Sequence, residues 1–504
     1  MSINAEYRNR QLIPRWHPFN VARILGYTEP AIRGKDLKIW TPESYKDKET
    51  AWLTNGTISH ATDFVGTALL ANDYTNANAK NACEYIIKNR SKASRLVNEI
   101  ALSFSKKMLN RAEEKVSLLI GDPELKVRQQ IQRTRLHLRG FPIDPIMWTD
   151  LAFYYTLIYK FDKARRCIET ATQIAPSNRH VLRSAARFYI HIGEPEKALF
   201  LLRKFDVAKS DPWLIAAELS ICETFSKSSK YKKIGLEFVN DESIHPQNKS
   251  ELCAALGTLE INHGEIKKAK RLFKCSLISP NENVIAQVEW IEPRANLNIN
   301  SRNTEVPGLF EANTRKKMKE GAFDCSFDEA LMWQEFQQFS SKPGVLGSYI
   351  AMLGLEDYKK ALLIIEKAEI SSPNDAMLLN NKACALASLN NINEAIETIN
   401  RIDVYSLENR ENGTFSATLG LINFRLGNFE KGRLLYDKAI NIFETTGETP
   451  SIAIACFYRG REEDRIGSET ADLYLNRAFK LAQKHEQKEL LKSIESVLKS
   501  RKRK

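Results

Sequence analysis

An all-α fold, built as a solenoid of stacked antiparallel helical hairpins, is the class this sequence predicts. Three observations predict it. Large and small residues recur at helical spacing within residues 148–176, and the pattern returns at 34-residue intervals. Glycine and proline number only 22 and 17 in 504 residues, few for a β-rich chain with many turns.

The stretch "WTDLAFYYTLIYKFDKARRCIETATQIAP" shows the pattern at its clearest. Trp148, Leu151, Ala152 and Tyr155 share one helical face, because they recur at three and four residues. "YKFD" interrupts the period. Ala164, Ile168 and Ala171 then form the buried face of a second helix, which Pro176 ends. Small Ala152 and Ala164 would let the two helices approach to about 8–10 Å, with Trp148 and Tyr155 filling the space beside them.

These residues resemble the tetratricopeptide repeat, whose pattern W-x2-L-(small)-x2-Y-x8-A-x3-(large)-x2-A-x4-P is matched at every element. Thirty-four residues after Ala164 comes Ala198, with Ala186, Tyr189 and Leu202 in register. Leu256, Gly257, Ala269 and Phe273 repeat the pattern, as do Ala361, Ile365, Ala368 and Pro373. Ala395 follows 34 residues after Ala361. Leu419, Gly420, Tyr436 and Ala439 come next, with Gly432 in place of the usual alanine. Weaker units lie around Ala471, Leu475 and Ala478, and in "HATDFVGTALLANDYTNANAKNACEYII". The resemblance implies a right-handed superhelix with a concave surface.

The expected organisation is an unassigned N-terminal arm (1–59) and a divergent helical region (60–143) containing a basic helix at 123–140. The first part of the array (144–291) and its second part (309–482) flank an irregular insertion (292–308). A capping helix and basic tail (483–504) complete the chain. The segment 213–239 reads as a hairpin whose small residues are out of register. "RWHPFNVARILGY", with Arg15, Trp16, His17 and Arg23 close together, suits an arm packing against the solenoid.

In the family, the first helix of each hairpin lines the concave surface, which grips an extended peptide or a partner helix. Residues on that helix but off its packing face are therefore candidate groove residues. His180, Arg183, Arg187 and His191 fall within roughly 80° of arc and form a basic stripe. Thr149, Phe153 and Thr156 take corresponding places in the first repeat, and Asn380, Cys384, Ala417, Leu421 and Arg425 in later ones. The stripe suggests a partner with an acidic segment or a phosphate. The family's carboxylate clamp for a chaperone tail is not matched, since Arg187 stands where an asparagine is expected.

The formal charge is +12. Arg128, Arg135 and Arg139 lie on one strip of the 123–140 helix, a candidate anion-binding patch, and "RKKMK" (315–319) and "KSRKRK" (499–504) add two clusters. No zinc-finger spacing, RNP-like strand or GXXG loop accompanies them, so nucleic acid is the less favoured partner. No phosphate-binding loop, dinucleotide fingerprint or nucleophile elbow occurs, and "HEQKE" lacks the second histidine of a zinc-peptidase helix. No catalytic residue, metal site or cofactor is expected. The eight cysteines are scattered, the closest pair being Cys253 and Cys275, and suggest neither a disulfide framework nor a C-x2-C site.

The opening "MSINAEYRNRQLIPRW" has no signal-peptide core, and no later apolar run approaches the ~18 residues that span a bilayer. The expectation is a cytoplasmic, non-catalytic adaptor, scaffold or regulatory subunit. Its partner would be a protein, such as an effector enzyme, and the alternative is a helical nucleic-acid binder.

Overall fold

The computed structural model describes residues 10, 12–24, 42–70, 76–94, 97–98, 101–102, 104–105, 123–295, 297–299, 306–407 and 409–501. They fall into two compact units. The larger lies within residues 1–19, 130–242 and 246–504, the smaller within 20–129 and 243–245. Among the described residues every regular element is helical. None of those helices is long and apolar enough to cross a membrane.

The larger unit is a row of antiparallel hairpins. Pro145–Leu157 packs on Phe161–Ile174, Arg179–His191 on Pro195–Lys204, and Pro246–Asn262 on Ile266–Ser276. After Glu282–Ala295, Phe310–Glu320 pairs with Phe323–Phe336. Lys342–Tyr349 continues as a π-helical segment, Ile350–Gly354, and packs on Tyr358–Glu369. Ala376–Ser388 with Ile392–Ile399, Asn409–Arg425 with Phe429–Thr445, and Thr449–Arg465 with Ala471–Lys484 complete the row. Lys488–Arg501 then folds back on the π-helical segment, where Tyr349 Oη donates to Glu489 and Ser493 Oγ donates to the Leu353 carbonyl.

Local chemistry sets where these helices begin. Asp144, Asn178, Asp211, Asp357 and Asp375 accept backbone N–H groups of the first turn they precede. Pro145, Pro195 and Pro212 stand at the start of their helices, where a missing N–H costs nothing. Many of the intervening turns pass through one left-handed residue, among them Tyr159, Gly193, Gly264, Asn390 and Gly427.

The alanines of the repeat pattern are buried in the paired helices. Ala164, Ala198, Ala269, Ala361 and Ala395 are all fully buried. Gly432 breaks the alanine pattern for a steric reason. A Cβ there would stand 2.6 Å from the Phe424 ring and 3.2 Å from the Gly420 carbonyl. The larger Phe424 fills the space that the missing methyl leaves.

Three parts of the array depart from the regular repeat. In the 213–239 segment, Pro212–Thr224 is followed by Lys232–Asn240, and Gly235 supplies the small residue against Ile215 and Leu252. The irregular stretch expected from residue 292 starts later, because the helix runs on to Ala295. The hairpin Phe310–Phe336 lies inside the second part of the array without matching the family spacing, and its fully buried residues include Thr314, Ser326, Ala330 and Trp333. Cys253 and Cys275, separated in sequence, meet across one hairpin with their Sγ atoms 2.9 Å apart.

The smaller unit contains the weak repeat of the N-terminal half. Ile58–Leu70 and Ala77–Lys88 pack as a hairpin, with Asn76 capping the second helix, and Pro42–Asn55 lies against them. Trp52, Phe64, Ile86 and Phe104 belong to its core.

Candidate functional site

Residues 10 and 12–19 of the N-terminal arm pack against helices of both parts of the array. Trp16 stacks on Phe339, centroids 4.9 Å apart and planes 23° apart, and meets Phe153 and Phe188 edge-on. His17 lies against the Phe336 ring, and Phe19 against His180. The Phe19 N–H donates to Asp150 Oδ1 at 2.9 Å. Aromatic packing around a slot of this kind adds about 0.5–1.5 kcal/mol per pair beyond simple burial.

Polar contacts hold the arm at both ends. Arg10 donates to Glu311, Gln287 and Asn283 at 2.7–3.0 Å. Arg15 donates to Glu311 at 2.7 Å and to Gln337. Burial alone would raise the Glu311 carboxyl, but Arg10 and Arg15 outweigh it and hold the group well below the usual carboxylate range. Burial drives His17 down to about 3, with Arg15 and His180 adding to the effect. His180 falls to about 4, through burial and the charge of Arg183. Asp150 is pushed up to about 7 by burial, against the opposing bond from Phe19.

The basic stripe is thus placed differently from its expected exposure. Arg183 is 2% exposed, donates to Glu251 Oε2 at 2.9 Å and lies over the Trp213 ring. Arg187 Nη2 donates to the Phe339 carbonyl at 3.0 Å. His191 packs against the Phe339 ring. The positive charge of Arg183 meets an internal acid that sequence spacing does not bring near it. Thr149 and Thr156 are buried and donate to carbonyls of their own helix, Pro145 and Ala152. Phe153 is one wall of the Trp16 slot.

The later candidates divide. Asn380, Cys384, Ala417 and Leu421 line one cavity of about 430 Å³, so the spacing rule brings these four together. Arg425 instead forms a bidentate pair with Glu462 at 2.7 and 2.8 Å. Arg128, Arg135 and Arg139 are exposed on the helix Pro123–Gly140. Among the described residues, no group of three or more His, Cys, Asp or Glu is arranged to hold a metal ion.

Sequence reasoning missed the acids Asp150, Glu251 and Glu311. A signal existed for one of them: Glu251 opens the apolar run "ELCAALG", where a charge must find a partner.

No family model matches the chain. A TPR repeat-containing protein of Methanocaldococcus jannaschii is 26% identical over 334 residues, covering 62% of this chain and 56% of the relative. The chain thus spans about half the length of the curated relative it matches. Among solved structures, the human IFIT1 dimer with PPP-AAAA is similar at TM-score 0.36 and 14% identity, covering 72% of this chain and 95% of that one. The APC/C hetero-tetramer Cut9-Hcn1 is similar at TM-score 0.33 and 12% identity, covering 90% and 93%. Scores this low carry no argument about what the chain does. The likeness to the archaeal relative supports assignment at the level of family, to the tetratricopeptide-repeat proteins.

Proposed function

We propose that this chain is a non-catalytic helical-repeat scaffold, an adaptor or regulatory subunit that takes a protein partner on the concave surface of its array. The observation that carries the reading is the seating of residues 10 and 12–19. The array holds that segment through an aromatic slot for Trp16 and a shared carboxylate for Arg10 and Arg15. A surface that grips an extended segment of its own chain has the chemistry to grip one from another protein. The arm and a partner would then compete for one slot, and a partner's affinity would carry the cost of displacing the arm.

The test is a pull-down of the full chain from its source lysate, identified by mass spectrometry, with and without nuclease. The protein is compared with a Trp16→Ala variant, which loosens the arm. Nuclease-resistant partners that bind the variant more strongly than the parent are expected. Loss of every partner on nuclease treatment would overturn the reading.

The second reading, nucleic-acid binding, is favoured by one observation, the exposure of Arg128, Arg135 and Arg139. It requires affinity that falls with salt at a slope of about 0.7–0.9 per neutralised phosphate, and tight binding lost in the triple change to Ala. The scaffold reading expects weak, sequence-indifferent association at low salt, because no base-reading element accompanies the charges.

A further inference from the structure

We infer that the second part of the array holds a binding site for a small anionic amphiphile, an elongated apolar molecule carrying one carboxylate. The inference stands apart from the scaffold reading, since its ligand is a small molecule and its test needs no protein partner.

The cavity of about 430 Å³ falls within the ~300–1,000 Å³ of small-molecule sites. Its walls include Met352, Leu353, Met377, Leu421, Phe443 and Ile454. Two methionines among them suit a flexible apolar body, because their side chains adapt to irregular shapes. One wall comes from the π-helical segment Ile350–Gly354, a rare turn that recurs at functional sites.

Two polar atoms in this lining have no hydrogen-bond partner, Tyr436 Oη and Asn380 Oδ1. Their residues are 0% and 4% exposed. A phenol without an acceptor and an amide oxygen without a donor are costly in a dry wall, at about 1–3 kcal/mol each. A ligand carboxylate oxygen reaching that wall would accept from the Tyr436 phenol.

Charge selects the sign of the ligand. Arg10, Arg315 and Lys342 line the cavity, opposed by Glu411. Arg315 meets Glu311, which also takes Arg10 and Arg15, while Arg15 has a second acid in Glu282 at 3.5 Å. Among the lining residues three cations stand to one acid, which favours a carboxylate head and disfavours an ammonium one.

The test is titration calorimetry of the full chain with dodecanoate, dodecanol and dodecyltrimethylammonium, each below its aggregation limit. Dodecanoate should bind one-to-one, and about tenfold or more tighter than the other two, the usual worth of a charge-assisted contact. Leu421→Trp, which fills the cavity, should abolish binding, with Ala417→Phe as a second filler. Arg315→Gln should weaken dodecanoate about tenfold while leaving dodecanol unchanged. Circular dichroism confirms that each variant keeps its helix content, and a variant that does not is set aside in favour of the other two. Equal affinity for the three probes, no binding of dodecanoate by the parent protein, or binding untouched in the folded variants would overturn the inference.

Discussion

Arg10 and Glu311, 301 residues apart in sequence, form a bidentate ion pair inside the molecule, Nε to Oε1 at 2.8 Å and Nη2 to Oε2 at 3.0 Å. Through it the N-terminal arm is fastened to the helix Phe310–Glu320. Each residue is only about 4% exposed, so water cannot replace either partner. Such a pair is a weak source of net stability, yet breaking it from one side is expensive, because the other charge stays buried.

Glu311→Gln is therefore expected to destabilise the protein by about 3–5 kcal/mol, since Arg10 and Arg15 lose their shared counter-charge. The midpoint of urea unfolding measures it. A midpoint equal to the parent's would mean that the arm is not held by this carboxylate.

Acid should loosen the same contact. His17 and His180, at about 3 and about 4 in the folded chain, titrate near 6.5 once unfolded. Both folded values are depressed, so their contribution is fully present above pH 6.5 and is lost as pH falls through the folded values. Glu311, also depressed, adds to the loss below its ordinary 4.5. Asp150 works in the opposite sense: its folded value is raised to about 7, so its contribution fades as pH rises through that value. Melting temperature should fall between pH 6.5 and pH 4, and less steeply in His17→Phe. Parallel curves for the two proteins would remove His17 from the account.

Arg183→Glu should lower the melting temperature rather than act on affinity alone. The new carboxylate would face Glu251, which is fully buried and accepts from Arg183 at 2.9 Å. Two acids confined there cost several kcal/mol, about 3–5 on the scale of a broken buried pair. A parent-like melt would place Arg183 in solvent instead.

Gly432→Ala restores the residue that the repeat pattern prefers, and should still destabilise the protein. The added methyl meets the Phe424 ring at 2.6 Å, and overpacking of this kind costs about 1–3 kcal/mol. Differential scanning calorimetry gives the sign directly. A stabilised variant would show that Phe424 turns aside freely.

Cys275 should be the thiol whose alkylation begins at the lower pH. The Cys253 thiol donates to it, which favours its thiolate and holds it below the ordinary thiol range, while burial pushes Cys167 and Cys222 up to about 12. Iodoacetamide labelling across pH, read by mass spectrometry, measures this. Cys253→Ala should return Cys275 to ordinary reactivity, and an unchanged pH profile in that variant would argue against the contact.

Hairpins were legible in the sequence because their cause is local. A helix face is written at three- and four-residue spacing, a cap and a proline mark its start, and the alanine that lets two helices touch recurs with the repeat. Ala164, Ala198, Ala361 and Ala395 could be placed at contacts on spacing alone, and all four are fully buried. Asn380, Cys384, Ala417 and Leu421, chosen by the same spacing, line one cavity. Spacing does not say what lies opposite a face. That Arg183 meets Glu251, that Trp16 fills the slot beside Phe153, and that Arg10 reaches Glu311 depend on how successive hairpins rotate about one another. Small rotations at each hairpin add up over hundreds of residues, and they carry distant side chains together without leaving a periodic mark. The sequence by itself determined the hairpins, because helix faces, caps and contact alanines are local. Only the tertiary structure decided which side chains the arm covers and which ones line a cavity, because those meetings join residues hundreds of positions apart.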